Sequence, residues 1–180
     1  MSEVRGAVIW FTGLPGSGKT TVAKGVMRRL KEMEYKVELL DGDEVRKWLS
    51  PEAGFTREDR ERHLIRVAHV AKLLARNGVL VLCSFVSPYR YVRQRVRGII
   101  EKEAPFVEVY VRCSLDECMR RDPKGLYKRA LRGEIKHMTG VDDPYEEPLK
   151  PEVIVDTEHE SISTCVVKVL NKLKELDIIA

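Results

Sequence analysis

Two short stretches of this chain hold residue types that could move a phosphoryl group. The first is TGLPGSGKTT, Thr12 to Thr21. Gly13, Gly16, Gly18, Lys19 and Thr20 fill every fixed position of G-x-x-x-x-G-K-[ST]. Glycines tolerate positive φ and bring bare backbone N–H groups up to an anion. Leu14, Pro15 and Ser17 complete the loop, and Thr21 opens a segment that reads as a helix. A helix N-terminus adds partial positive charge and unpaired donors at that point. Lys19 has the reach for β- and γ-phosphates, and the Thr20 hydroxyl can ligate magnesium. The loop therefore predicts ATP and Mg2+. It leaves open whether the γ-phosphoryl goes to water or to a second substrate.

The second stretch is LLDGDEVR, Leu39 to Arg46. Asp41 and Asp43 leave the end of an apolar run, separated by Gly42. One carboxylate could orient magnesium and the other accept a proton from an attacking hydroxyl. A helix N-cap at Asp43 would account for Asp43 but not for Asp41. On an extended strand the two point to the same side, with Asp41 deeper. Asp41 is read as the magnesium residue with Thr20, and Asp43 as the base. Arg46, one helical turn beyond Asp43, suits a phosphate or sulfate.

Further candidates lie between and after these. In GFTREDRERHLIRV, Gly54 to Val67, Phe55 offers either a stacking face for a base or a hydrophobic staple onto the next helix. Among the basic residues on that helix, Arg60 is the attractive anion ligand. CSFVSPYR, Cys83 to Arg90, has no acidic residue at its strand end, so an ordinary Walker-B aspartate is missing. That moves magnesium duty towards Asp41 and Asp43. Ser87, before Pro88, is either a helix cap or a substrate contact. RRDPKGLYKRALRGEIKHMTG, Arg120 to Gly140, is basic, punctuated by glycine and without a strong apolar period. It reads as a lid, spanning about residues 120–143, that closes over phosphates and excludes water.

These residues need a scaffold. Apolar runs at Ala7–Thr12, Val37–Asp41, Val79–Phe85, Phe106–Cys113 and Val153–Asp156 predict strands. Helical periods at Lys19–Glu32, Arg57–Arg76, Tyr89–Lys102, Leu115–Asp122 and Ile162–Leu176 alternate with them. Thr56 with Asp59, and Ser114 with Glu117, read as capping boxes. Such alternation predicts an α/β fold, a mostly parallel sheet with helices on both faces. Ligands in such folds gather at the carboxyl ends of strands, where every candidate above falls.

The bulk numbers agree. With 180 residues, one domain spanning 1–180 is expected. Hydrophobic residues at 43% and charged residues at 33% describe a globular chain. A net charge of +4 without a basic block is too mild to argue for nucleic acid, and no nucleic-acid partner is expected. No apolar run approaches a membrane span, and Val4–Phe11 reads as a first strand rather than a signal peptide. A cytoplasmic protein with no membrane partner follows. Cys83, Cys113, Cys118 and Cys165 lack Cys-x-x-Cys spacing and read as buried small apolar residues.

Taken together, LDGDEVR, GFTREDRE, SFVSPYR, RDPKGLYKRALRGEIK and TGVDDPYEEP resemble the adenylylsulfate kinases, in order and spacing, over roughly Val8 to Asp156. The resemblance implies a P-loop kinase fold with a lid, and a homodimer. It implies transfer of the ATP γ-phosphoryl to the 3′-hydroxyl of adenosine 5′-phosphosulfate. Gly13 to Thr20 would hold ATP. Asp43, Arg46, Phe55, Arg60, His63, Val86, Ser87, Lys124, His137 and Met138 would line the acceptor site. Ser87 matches the serine assigned in the family as a phosphoenzyme intermediate, yet direct in-line transfer needs no covalent step and no base is evident beside it. Two residues depart from the family pattern. His63 stands where asparagine is usual. Met138, next to His137, stands where phenylalanine stacks on the acceptor's adenine, and its sulfur can still contact an aromatic ring. Two other readings remain, a kinase for a nucleoside or sugar and a non-catalytic ATP-binding module. The second expects a degenerate loop, whereas Lys19, Thr20, Asp41 and Asp43 are all present.

Overall fold

The computed structural model describes residues 5–180; Val4, the first residue of the apolar run taken as the opening strand, lies outside them. Five strands form one parallel sheet: β1 (Ala7–Thr12), β2 (Val37–Asp41), β3 (Leu80–Ser84), β4 (Phe106–Arg112) and β5 (Val153–Asp156). Their order is β2-β3-β1-β4-β5. The central strand β1 is buried along its whole length, and its residues alternate between two cores. Ala7, Ile9 and Phe11 face α1 (Lys19–Glu32) and α7 (Ile162–Glu175) through Val22, Val26, Val166 and Val169. Val8 and Trp10 face α3 (Arg57–Arg76) and α4 (Arg90–Ile100) through Val67, Ala71, Val92 and Val96. The α/β prediction with helices on both faces holds, because each strand had apolar residues for both sides.

The predicted strands and long helices are present, with ends shifted by a residue or two. Both N-caps form, Thr56 Oγ1 accepting from the Asp59 N–H and Ser114 Oγ from the Glu117 N–H, but neither box closes: the Ser114 N–H donates to Glu158, and Asp59 accepts from the Thr56 hydroxyl. Two short helices fall outside the predicted helical periods. One is α2 (Gly42–Leu49), which begins immediately after β2. This corrects two readings of Asp41 and Asp43. The pair does not lie on one extended strand, and the N-cap position is Asp41, with Asp43 in the first turn. The other is α6 (Leu126–Leu131), inside the lid segment, after α5 (Leu115–Arg121). The Asp122 carboxylate caps α6 by accepting from the N–H groups of Tyr127 and Lys128. A third small core lies here. Cys113, Cys118, Tyr127, Ala130 and Met138 are buried together against Leu14 and Leu115. The segment predicted to lack an apolar period therefore has apolar contacts, spread over a helix too short to show a period. All four cysteines are free and buried, as expected.

Candidate active site

Parallel pairing brings the strand ends level. Asp41 pairs with Ser84 across β2 and β3, and Phe11 with Ser84 across β1 and β3. Beyond that row opens a cleft of about 1110 Å3. Its walls include Lys19, Thr20, Thr21, Asp41 and Asp43, and every residue proposed for the acceptor: Arg46, Phe55, Arg60, His63, Val86, Ser87, Lys124, His137 and Met138. Pro15, Gly16 and Gly18 also line it, whereas Gly13, Leu14 and Ser17 form the back of the loop.

The loop fits a phosphate chain. A Cβ at Gly13 would stand 2.5 Å from the Val111 carbonyl oxygen, so only glycine lets β1 turn here. Gly18 has φ 93, in the left-handed region, and directly precedes α1. Thr157, after β5, donates from Oγ1 to the Ser17 carbonyl at 2.5 Å and steadies the turn. Lys19 is buried and donates to the Leu14 carbonyl at 2.8 Å. Burial is the main force that lowers its pKa to about 8, with Lys124 also lowering it. A buried ammonium whose acceptor is a loop carbonyl is ready for phosphate oxygens.

Magnesium ligands are tested by what surrounds Thr20. Its hydroxyl donates to Asp41 Oδ1 at 3.4 Å and lies 3.1 Å from Ser84 Oγ. Ser84 thus occupies the β3 end where a Walker-B carboxylate would stand, and Asp41 supplies the charge from β2. Among the described residues no cluster of three or more His, Cys, Asp or Glu could cage a metal. One carboxylate plus a hydroxyl is the donor set of a magnesium that keeps waters and phosphate oxygens as its other ligands.

On the acceptor side, Asp43 is exposed and ion-paired with Lys124 of the lid. Arg46 donates to the carbonyls of Ala53 (3.1 Å) and Gly54, and its guanidinium lies 4.3 Å from the centre of the Phe55 ring. Burial and then the neighbouring Arg60 charge lower the Arg46 pKa. Phe55 is 54% exposed. It makes no staple, because the position it would meet one turn into α3 is Arg60. Arg60 reaches across to the lid instead, donating to Thr139 Oγ1 (2.9 Å) and the His137 carbonyl. The His137 ring faces Asp143 at 3.6 Å, while the His137 backbone N–H donates to the Asp142 carboxylate. Met138 lines the cleft with its side chain packed in the lid core.

Ser87 is 2% exposed and has φ 43, a conformation that L side chains adopt at a cost. Its hydroxyl accepts from Trp10 Nε1 and donates to the Phe85 carbonyl, both at 3.0 Å. The helix cap considered for Ser87 falls to Tyr89. The Ser87 carbonyl accepts from Arg93 at 2.6 Å, and Thr12 donates to the Val86 carbonyl at 2.7 Å. Tyr145 closes the network at 2.8 Å from Thr12 Oγ1, and Glu146 N–H donates to the Pro88 carbonyl. Sequence reasoning missed Trp10, Arg93 and Tyr145 as supports of this loop. Only a charged residue on the buried side of the α4 period hinted at Arg93.

Residues 5–156 match the family Adenylylsulphate kinase. A relative from Aeropyrum pernix, a probable adenylyl-sulfate kinase, is 57% identical over 159 residues, covering 88% of this chain and 87% of its own. The adenylyl-sulfate kinase of a Picosynechococcus species is 49% identical over 174 residues, 97% of each chain. The solved Mycobacterium tuberculosis APS kinase, in complex with AMPPNP and APS, superposes with a TM-score of 0.92 at 42% identity, covering 94% of this chain and 98% of the other. The chain belongs to the adenylylsulfate kinase family.

Proposed function

We propose that the protein is an ATP-dependent kinase that phosphorylates the 3′-hydroxyl of adenosine 5′-phosphosulfate. The products are ADP and 3′-phosphoadenosine 5′-phosphosulfate. The carrying observation is that a phosphate loop and a cationic, aromatic pocket share one cleft, whose lining also includes Asp43. The acceptor's phosphosulfate calls for the Arg46 and Arg60 guanidiniums, and its base for the half-exposed Phe55 ring.

The chain's own groups then divide the work. Loop N–H groups and Lys19 hold the β- and γ-phosphates and meet the charge that develops on them. Asp43 takes the 3′-hydroxyl proton as the new O–P bond forms and the bond to the β-phosphate oxygen breaks. The lid, tied down by Lys124 on Asp43 and by Arg60 on His137 and Thr139, keeps water from competing. Ser87 orients the loop and the acceptor, and transfer is direct. A magnesium ion held by Thr20 and Asp41 would neutralise phosphate charge. The need for ATP and the four free thiols support a cytoplasmic enzyme. A homodimer is the expected assembly; a structural relative from Thiobacillus denitrificans, 32% identical, is hexameric.

The assay is γ-labelled ATP with adenylylsulfate, followed by separation of nucleotides. Label in a doubly phosphorylated nucleotide is expected. ATP turnover indifferent to adenylylsulfate would point to a nucleoside or sugar acceptor instead.

A further inference from the structure

The acceptor pocket contains a buried polar atom with no protein partner: Nε2 of His63. The ring is 3% exposed, sits edge-on to Phe85 at 5.8 Å and lines the cleft. Its other nitrogen, Nδ1, is 2.8 Å from Ser50 Oγ. Ser50 ends α2 and is 1% exposed. Its oxygen also receives a hydrogen bond from Arg66 Nη1 at 3.1 Å, and Arg66 is itself fixed by Glu52 Oε1 at 2.5 Å.

Proton counting fixes the tautomer. Arg66 can only donate, so Ser50 Oγ accepts from it. The single hydroxyl proton of Ser50 then needs an acceptor, and Nδ1 is the one within reach. With that bond made, the imidazole proton resides on Nε2. In the other tautomer both Nδ1–H and Arg66 donate to Ser50 Oγ, which strands the hydroxyl proton and also the Nε2 lone pair in a buried place. Two unpaired groups cost more than one.

We infer that Ser50, held by Arg66, positions His63 as a neutral N–H donor from Nε2 to the anionic oxygens of the acceptor nucleotide. This rests on the adenylylsulfate reading and adds to it a specificity contact. Burial first, and then the charges of Arg46 and Arg66, lower the His63 pKa to about 4, so the ring stays neutral at working pH. A neutral donor adds a hydrogen bond without a further cation beside Arg46. His63 touches the acceptor; Ser50 and Arg66 act only through it.

The direct measurement is 15N NMR of the histidine-labelled protein. Wild type should show His63 protonated at Nε2 and bare at Nδ1. The opposite tautomer would overturn the inference before any variant is made. Ser50→Ala removes the proton that Nδ1 accepts. It should mix the tautomers and raise the acceptor KM by about 10- to 100-fold, with ATP affinity and kcat little changed. Ser50→Thr keeps the hydroxyl and should restore both signal and KM. His63→Gln, which can present an amide N–H near the Nε2 position, should retain more acceptor affinity than His63→Phe. Unaltered acceptor KM in Ser50→Ala and in His63→Phe would show that the ring only packs against Phe85. The underlying reading fails differently: the wild-type protein would then transfer nothing to adenylylsulfate.

Discussion

Asp43 stands exposed on the first turn of α2, paired with a lysine that arrives from the lid. A hydroxyl nucleophile is poor and must lose its proton during or just after attack. In a loose transition state the base needs placement more than strength. Asp43→Asn keeps the shape and removes the charge; turnover should fall by about 10²–10⁴-fold while ATP affinity changes little. If added magnesium restores the rate, Asp43 is a metal ligand and the base lies elsewhere. Ser87 calls for the opposite expectation. Both ends of its hydroxyl are engaged, by Trp10 and by the Phe85 carbonyl, so Ser87→Ala should keep substantial turnover. Isolation of a kinetically competent phosphoserine at 87 would overturn direct transfer. Lys19 makes a pH prediction. Its pKa in the folded protein is lowered, chiefly by burial, to about 8. The ammonium is thus charged below that pH and lost above it, whereas bound phosphates stabilise the charged form. Binding then takes up a proton, so ATP affinity should be full below pH 8 and fall by up to tenfold per pH unit above it. Lys19→Ala should bind ATP weakly with no such slope, and a slope retained in that variant would assign it to another group.

At the scale of elements, the lid and α3 meet through one side chain. Arg60, at the start of α3, donates to Thr139 and to the His137 carbonyl, so the residue proposed as an acceptor ligand also latches the lid segment. Arg60→Ala should raise the acceptor KM by more than the ATP KM, each lost charge-assisted bond contributing about 1.5–3 kcal/mol. It should also speed tryptic cleavage within residues 120–143, because the latch is gone. Unchanged cleavage would make Arg60 a pocket residue only. Much of this scaffold was legible beforehand, for identifiable reasons. The sheet could be read because Ala7–Phe11 and Leu80–Ser84 bury both faces and so form continuous apolar runs. Helix α3 could be read because Thr56 and Asp59 announce its start. The helix α2 was hidden: GDEVRKWL buries only Val45, too little apolar surface for a period to appear. The lid's α6 was hidden for a related reason, since six residues hold less than two turns. Motif spacing had already picked out residues that line the cleft, whereas the Trp10–Ser87–Arg93 support and the Ser50–His63 pair join residues that only the fold brings together.

For the molecule as a whole, the proposed function divides the cleft into two subsites built from different parts of the chain. The nucleotide end is made by β1, its loop and α1. The acceptor end is made by α2, the start of α3, the loop after β3 and the lid. A ligand that binds only the folded state stabilises it by mass action, about 2.7 kcal/mol at a hundred times its Kd. In a domain of this size that corresponds to a rise in Tm of roughly 5–10 °C. A non-hydrolysable ATP analogue and adenylylsulfate, added separately to the wild-type protein at such excess, should each give a rise of this order. Lys19→Ala should lose the rise with the analogue and keep the rise with adenylylsulfate, since Lys19 reaches only the phosphate chain. Arg46→Ala should do the reverse. Its own Tm without ligand is the baseline for that comparison, because Arg46 also holds the Ala53 and Gly54 carbonyls and covers Phe55. The crossed pattern separates two local losses from one general loosening of the fold. If either variant loses both rises together, the two ends of the cleft are a single cooperative unit, and the assignment of Lys19 and Arg46 to separate subsites is wrong.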